Sequence, residues 1–333
     1  MLSERELQGI WYGERKPGIA LKALSIAFAM VSAARRGLYA VGILRSVRVS
    51  VPMIVVGNIS VGGTGKTPLV IALAQALRDR GWKPGVITRG FGGSAVDVVR
   101  VDAHSDPGMV GDETRLIFDS TGAPVAVGRD RIRAARELID SGSVDVIISD
   151  DGLQHLRLAR DVEVCVIDGQ RRFGNGQLLP AGPLREAESR LHDVDFIVCN
   201  GGDAHDKEIL MRLHGDSVVA LNIPSNTRPL SALRGQRVHA VAGIGNPSRF
   251  FAQLRAAGID VVEHTFPDHH AFTESDLAFG DALPILMTEK DAVKCRRFAH
   301  PDTWSVPVRA ELPRDFYESV ERKLRERNVR VAP

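Results

Sequence analysis

From Val51 onward the chain alternates short β-branched runs with stretches whose apolar residues recur every three or four positions. The runs are Met53–Val56, Gly85–Thr88, Val125–Val127, Val144–Ser149, Val162–Ile167 and Phe196–Cys199. Strand-like runs separated by helix-like stretches predict parallel βαβ units. A second series at Val218–Ile223, Val238–Ala242, Asp260–His264 and Ile285–Thr288 predicts a smaller α/β unit. Loop chemistry at Gly201-Gly202-Asp203 and along Pro224-Ser225-Asn226-Thr227-Arg228-Pro229 puts the change of unit near 205–235.

The longest apolar stretch, Ile19 to Ala34, is interrupted by Lys22 and flanked by Arg15-Lys16 and Arg35-Arg36. As a helix it spans about 24 Å, short of a hydrocarbon core of about 30 Å. Lys22, Ser25, Ala29, Ser32 and Arg36 form a weakly polar stripe, and Leu21, Leu24, Phe28 and Val31 an apolar one. Such a helix lies in a membrane interface or docks on the protein's own core, and the residues alone leave both open.

Length and charge narrow the classes. A chain of 333 residues suits about two domains. With 43 basic and 41 acidic residues the net charge is +2, which disfavours a globally basic nucleic-acid binder and confines any polyanion site to a local patch. The cysteines Cys165, Cys199 and Cys295 lie far apart, which excludes a disulfide framework or a paired-cysteine zinc site and fits a reducing compartment.

The chemistry begins where Met53–Val56 runs into Gly57-Asn58-Ile59-Ser60-Val61-Gly62-Gly63-Thr64-Gly65-Lys66-Thr67 and then the helical Pro68–Leu73. This is a P-loop in its strand–loop–helix setting, with Ser60 where the strict pattern has glycine. Gly62, Gly63, Thr64 and Gly65 let backbone N–H groups surround phosphate oxygens; Lys66 reaches the outer phosphates, and the Thr67 hydroxyl suits Mg²⁺. The run Val144–Ser149 ends in Asp150-Asp151, a Walker B candidate that would put carboxylates beside the metal.

Further dense clusters are Arg89-Gly90-Phe91-Gly92-Gly93, Gly111-Asp112-Glu113-Thr114, Asp150 through His155, Phe173 through Glu186, Asp268-His269, and Thr288-Glu289-Lys290-Asp291-Ala292-Val293-Lys294. In this order, with the P-loop, they resemble the tetraacyldisaccharide 4′-kinase family of lipid A biosynthesis over essentially the whole chain. Thr114 departs from the family's usual proline. Thr288 through Asp291 also fits a helix cap, so that segment is assigned structure before catalysis.

The resemblance implies ATP-dependent phosphorylation of the 4′-hydroxyl of an acylated glucosamine disaccharide 1-phosphate, with ATP and Mg²⁺, at the cytoplasmic face of the bacterial inner membrane. It implies no nucleic acid and no obligate protein partner. The expected architecture is an N-terminal membrane-associated helix region (1–40), a P-loop catalytic domain (41–215) and a smaller α/β domain (216–333) joined by a hinge. It also pairs Asp112 with His269 as acid-held base beside Lys66, and so favours His269 over His270. Thr67, Glu113, Asp150 and Asp151 are the expected metal-side residues. Arg89, Arg131, Arg185 and Glu186 are expected to hold substrate or phosphate. The rival is a membrane-associated P-loop ATPase switch. Such switches often carry lysine just before the paired glycines, where this chain has Val61.

Overall fold

The computed structural model describes residues 4–13, 15–223 and 225–331. Position 224 of the expected loop and positions 1–3 and 14 of the expected N-terminal region lie outside them. The strands are β1 Met53–Gly57, β2 Pro84–Thr88, β3 Val99–Arg100, β4 Val125–Val127, β5 Val146–Ser149, β6 Val162–Asp168, β7 Phe196–Asn200 and β8 Glu208–His214. There follow β9 Ser217–Ala220, β10 Thr227–Pro229, β11 Arg237–Ala242, β12 Asp260–Thr265, β13 Ile285–Thr288, β14 Thr303–Val306 and β15 Arg309–Glu311. The helices are α1 Glu4–Trp11, α2 Ile19–Ala40, α3 Lys66–Asp79, α4 Pro107–Val110, α5 Asp112–Thr121 and α6 Arg131–Asp140, then α7 Pro247–Ala256, α8 Glu289–Cys295 and α9 Arg314–Val331.

Nine strands form the first sheet in the order β15-β8-β7-β6-β1-β5-β2-β4-β3. It is parallel from β8 to β4 and antiparallel only at its two edges. Alternate residues of β1 face opposite cores. Ile54 and Val56 pack with Leu69, Leu73, Ile117 and Phe316, while Met53 and Val55 pack with Ile132, Leu138 and Leu153. Burial on both faces is why these strands read as continuous apolar runs.

The second sheet orders β10-β9-β14-β13-β11-β12 and buries Phe250, Phe251 and Leu254 of α7 against it. The chain leaves the first sheet after His214 and returns at Arg309. Antiparallel pairing of β8 with β15 and of β9 with β14 makes the double connection a two-stranded ribbon. Two expectations change. Thr227–Pro229, read as loop, pairs with β9 as an edge strand, which tolerates its proline. The unit expected at 216–333 ends sooner, because β15 and α9 rejoin the first sheet, where Phe316, Val320 and Leu324 enter its core.

Helix α2 is turned contrary to the usual rule. Its polar stripe faces the protein: Ser25 is buried and its hydroxyl donates to the Leu178 carbonyl at 2.8 Å. Ile19, Leu24, Ile26, Met30 and Val31 point outward, from 58% to 88% exposed. No helix among the described residues is long and apolar enough to cross a membrane. Helix α1 grips the irregular stretch after β6. The Trp11 indole N–H donates to the Pro180 carbonyl at 3.0 Å, and Asn175 Nδ2 donates to the Ile10 carbonyl at 3.1 Å.

Candidate active site

The P-loop joins β1 to α3. Helix α3 begins at Gly65, which has φ 95° and no side-chain cap, so its first N–H groups are open to an anion. A Cβ on Gly65 would lie 2.4 Å from Asn200 Nδ2, so glycine is required by both conformation and space. Gly62 has φ 103°, and the Cβ positions of Gly62 and Gly63 meet only open space. Thr64 is fixed by neighbours: Asn58 Nδ2 donates to its hydroxyl at 3.2 Å and Asn200 Nδ2 to its carbonyl at 3.0 Å. Ser60 is buried and pairs through its backbone with Leu184, an extended position that does not call for glycine. The Val61 N–H donates to the Pro183 carbonyl at 2.8 Å. The Phe173–Glu186 stretch therefore braces the loop from outside.

The paired acids follow β5 and differ sharply. Asp150 is buried and its Oδ1 has no hydrogen-bond partner. Burial, reinforced by the charge of Glu113, pushes its carboxyl up to about 7. Burial pushes Asp151 the same way, yet Lys66 at 3.5 Å and Arg185 at 3.1 Å prevail and hold it at about 2. Among the described residues no group of three or more His, Cys, Asp or Glu side chains could hold a metal ion. A divalent ion here would take most of its ligands from phosphate and water. The Asp150 oxygen without a partner and the half-buried Thr67 hydroxyl on the first turn of α3 fit such an ion, with Glu113 facing the same space.

Opposite the loop, Asp112 at the start of α5 meets His269 from the turn after β12. His269 Nδ1 lies 3.2 Å from Asp112 Oδ2, and Lys290 Nζ lies 3.3 Å from His269 Nε2. The hydrogen bond to Asp112 raises the imidazole above its ordinary value, against burial and the Lys290 charge. Burial opposes ionisation of Asp112, but His269, Lys290 and Lys294 together bring its carboxyl below the usual range. Phe91 stands with its ring centre 4.9 Å from that of His269. His270 is held by Asp276 at 3.2 Å, which separates it from the cluster.

The other expected site residues differ in how far they are engaged within the protein. Arg131 is buried; Nη1 donates to Ser149 Oγ at 2.7 Å and to the Asp150 carbonyl, and Nη2 donates to the Asp151 carbonyl at 3.1 Å. Both nitrogens thus secure the end of β5, at a place where Arg131 also lines the cleft. Glu186 is buried between Arg36 and Gln154 and is a link within the protein. Glu113 carries a cation already, Lys290 Nζ at 2.9 Å. Arg89 is exposed in the cleft, with no hydrogen bond or ion pair among the described residues. Sequence reasoning missed Lys290, which contacts Glu113, Asp268 and His269, and Asn200 and Arg249, which link the P-loop to α7 at 3.3 Å. A polar residue closing a parallel strand was the available signal for Asn200.

These groups line one cleft of about 1180 Å³ that runs from Phe28 and Val31 of α2, past the P-loop, to His269 and Lys290. A phosphate loop that faces an imidazole held in from a second sheet defines a nucleotide-dependent P-loop transferase, in which a phosphoryl group can pass to an acceptor within the cleft.

Comparison with known proteins narrows the class. The sequence profile of tetraacyldisaccharide-1-P 4′-kinase matches residues 18–325. The tetraacyldisaccharide 4′-kinase of Methylobacillus flagellatus is 50% identical over 317 residues, 95% of each chain. That of Xanthomonas euvesicatoria pv. vesicatoria is 52% identical over 94% of each. The crystal structure of LpxK from Aquifex aeolicus in complex with ATP superposes with a TM-score of 0.79 at 26% identity, covering 92% of this chain and 98% of that one. The chain belongs to the tetraacyldisaccharide-1-P 4′-kinase family.

Proposed function

We infer that this protein transfers the γ-phosphoryl group of ATP to the 4′-hydroxyl of tetraacyldisaccharide 1-phosphate. The observation that carries the reading is the Asp112–His269 pair at 3.2 Å, held across the two sheets and facing the P-loop cleft. With Nδ1–H donated to Asp112, His269 Nε2 accepts the proton of the sugar hydroxyl as its oxygen bonds to the γ-phosphorus, the acceptor hydroxyl taking the place of Lys290 Nζ, which stays paired with Glu113 and Asp268. Lys66 and the α3 N–H groups neutralise charge on the transferring phosphoryl and on the departing ADP oxygen. Bound magnesium would neutralise the phosphate oxygens, and Thr67 and Asp150 are the residues to hold it, with Glu113 beside them. Arg89 supplies a free guanidinium for acceptor or phosphate. A nucleotide-switch role is not favoured, because Pro183 of this same chain occupies the P-loop flank at Val61.

The same reading places the protein at the cytoplasmic face of the bacterial inner membrane, with the outward apolar face of α2 in the lipid interface. An acceptor with four acyl chains is drawn from a bilayer, and the cleft begins at that helix. Incubation with ATP, Mg²⁺ and the acceptor should yield ADP and a product with one added phosphate at the 4′-oxygen. ADP release without phosphorylated lipid would overturn the assignment. Deleting 1–36 would also remove the contacts to Pro180, Asn175 and Glu186. The sharper membrane test replaces Leu24, Ile26, Met30 and Val31 with serine and measures flotation with phospholipid vesicles. Undiminished flotation would defeat the α2 reading.

A further inference from the structure

Helix α2 is tied to the P-loop by a run of side chains that attachment to a membrane does not require. Near its C-terminal end, Arg36 Nη1 donates to Glu186 Oε2 at 3.2 Å. The Glu186 side chain is only 6% exposed, and its Oε1 accepts from Gln154 Nε2 at 2.8 Å. The same Gln154 nitrogen donates at 2.9 Å to the carbonyl of Asn58, the first residue after β1. On its other side, Gln154 Oε1 accepts from Arg185 Nη1 at 3.5 Å. Arg185 holds Asp151 at 3.1 Å, and Asp151 lies 3.5 Å from Lys66 Nζ. Arg35, one residue earlier on α2, donates to the Gln154 carbonyl at 3.3 Å.

Glu186 faces two cations among the described residues, Arg36 and Arg190. Arg190 Nε lies 3.6 Å from Glu186, but Arg190 is already bound to Glu163 at 2.6 Å. Arg36 is the cation that α2 supplies to Glu186, while Arg35 reaches the Gln154 backbone. Without Arg36 the buried Glu186 carboxylate is left to Gln154 at 2.8 Å and Arg190 at 3.6 Å, and a shift toward either disturbs Gln154, which also accepts from Arg185, the group that holds Asp151 beside Lys66.

We propose that Arg36 is a positioning residue for phosphoryl transfer. Seated on the protein, α2 fixes Glu186, Gln154 and Arg185 so that Lys66 is presented to the nucleotide. The helix then contributes to turnover itself, beyond bringing the enzyme to its lipid. This rests on the kinase reading above.

The test uses the full chain, with acceptor dispersed in detergent so that membrane recruitment does not limit the rate, and with ATP and acceptor saturating. Arg36→Ala should lose roughly tenfold in kcat, about 1.4 kcal/mol of barrier. Its KM for acceptor and its flotation with anionic phospholipid vesicles should stay near those of the unmodified chain. Arg36→Lys should recover most of the rate. The double variant Arg36→Ala/Glu186→Gln should be no slower than the slower single variant, since both break one path. Unchanged kcat in Arg36→Ala, with only flotation or acceptor KM affected, would reduce Arg36 to an anchor and overturn the proposal. A fall in Tm that tracks the loss, without recovery by lysine, would overturn it in favour of a purely structural role. Absence of transfer by the unmodified chain would overturn the kinase reading itself, and this inference with it.

Discussion

Thr64 in the phosphate cradle is held by Asn58, six residues before it, and by Asn200 of the same sheet. His269 meets Asp112 across 157 residues, from a turn on the second sheet to a helix on the first. The bonds that fix Thr64 are therefore made within one sheet, with α7 reaching them only through Arg249, whereas the base exists only while the two sheets are held together. Binding nucleotide and activating the acceptor are separable tasks in this architecture, and each can be damaged alone.

The largest expected effect comes from breaking the cradle. Lys66→Ala should reduce kcat about 10³–10⁵-fold, the worth of a single cation on a transferring phosphoryl group. At saturating Mg²⁺, which displaces the Asp150 proton, the pH dependence of the residual rate should keep its shape, because the Asp112–His269 pair is untouched. A changed profile in that variant would show that the regions are not separable.

Breaking the base should weigh somewhat less. Asp112→Ala and His269→Ala should each lose about 10²–10⁴-fold in kcat with ATP affinity preserved, and the double variant should be scarcely worse than the poorer single one. Fully multiplied losses would defeat the pairing. The sign of the pH effect follows from the raised imidazole. His269 must be neutral to accept a proton, so kcat should rise with pH on a limb centred above the ordinary 6.5. Asp112→Asn removes the raising contact and leaves burial and Lys290, so its residual limb should move to lower pH.

The smallest effect is graded, and it sharpens the cradle side. Asp150 holds its proton up to about 7, so a cation must displace that proton in more acidic solution. The Mg²⁺ concentration for half-maximal rate should climb about tenfold per pH unit below that point. A flat Mg²⁺ requirement from pH 6 to 8 would remove Asp150 from the metal side.

The same contrast explains what could be read from sequence. Strands β1, β2 and β4 to β7 are short apolar runs, and the P-loop is contiguous, so local pattern suffices for both. The strands β15, at the edge of the sheet, and β8, next to it, escaped because strands with one polar face, such as Glu208–His214, carry mixed patterns. The fates of Arg131, Glu186 and Lys290 escaped for a different reason. A charged residue in a dense motif looks alike whether it meets substrate, a strand-end carbonyl or a buried carboxylate, and only the fold decides between them. Thr288 shows both sides: it does cap α8, accepting from the Asp291 N–H as its spacing implies, while Lys290 two residues on reaches the base.

The return of β15 and α9 to the first sheet bears on how the chain is made. During synthesis β1 to β8 emerge first, yet Phe316, Val320 and Leu324 complete their core only after the whole second sheet has left the ribosome. Until then β8 is an unpaired edge and the apolar residues beneath α9 are bare, a state prone to pairing with other chains. The second sheet, with its own core around Phe251 and Leu286, is free to close earlier. The phosphate-binding half of the enzyme is thus begun first and finished last.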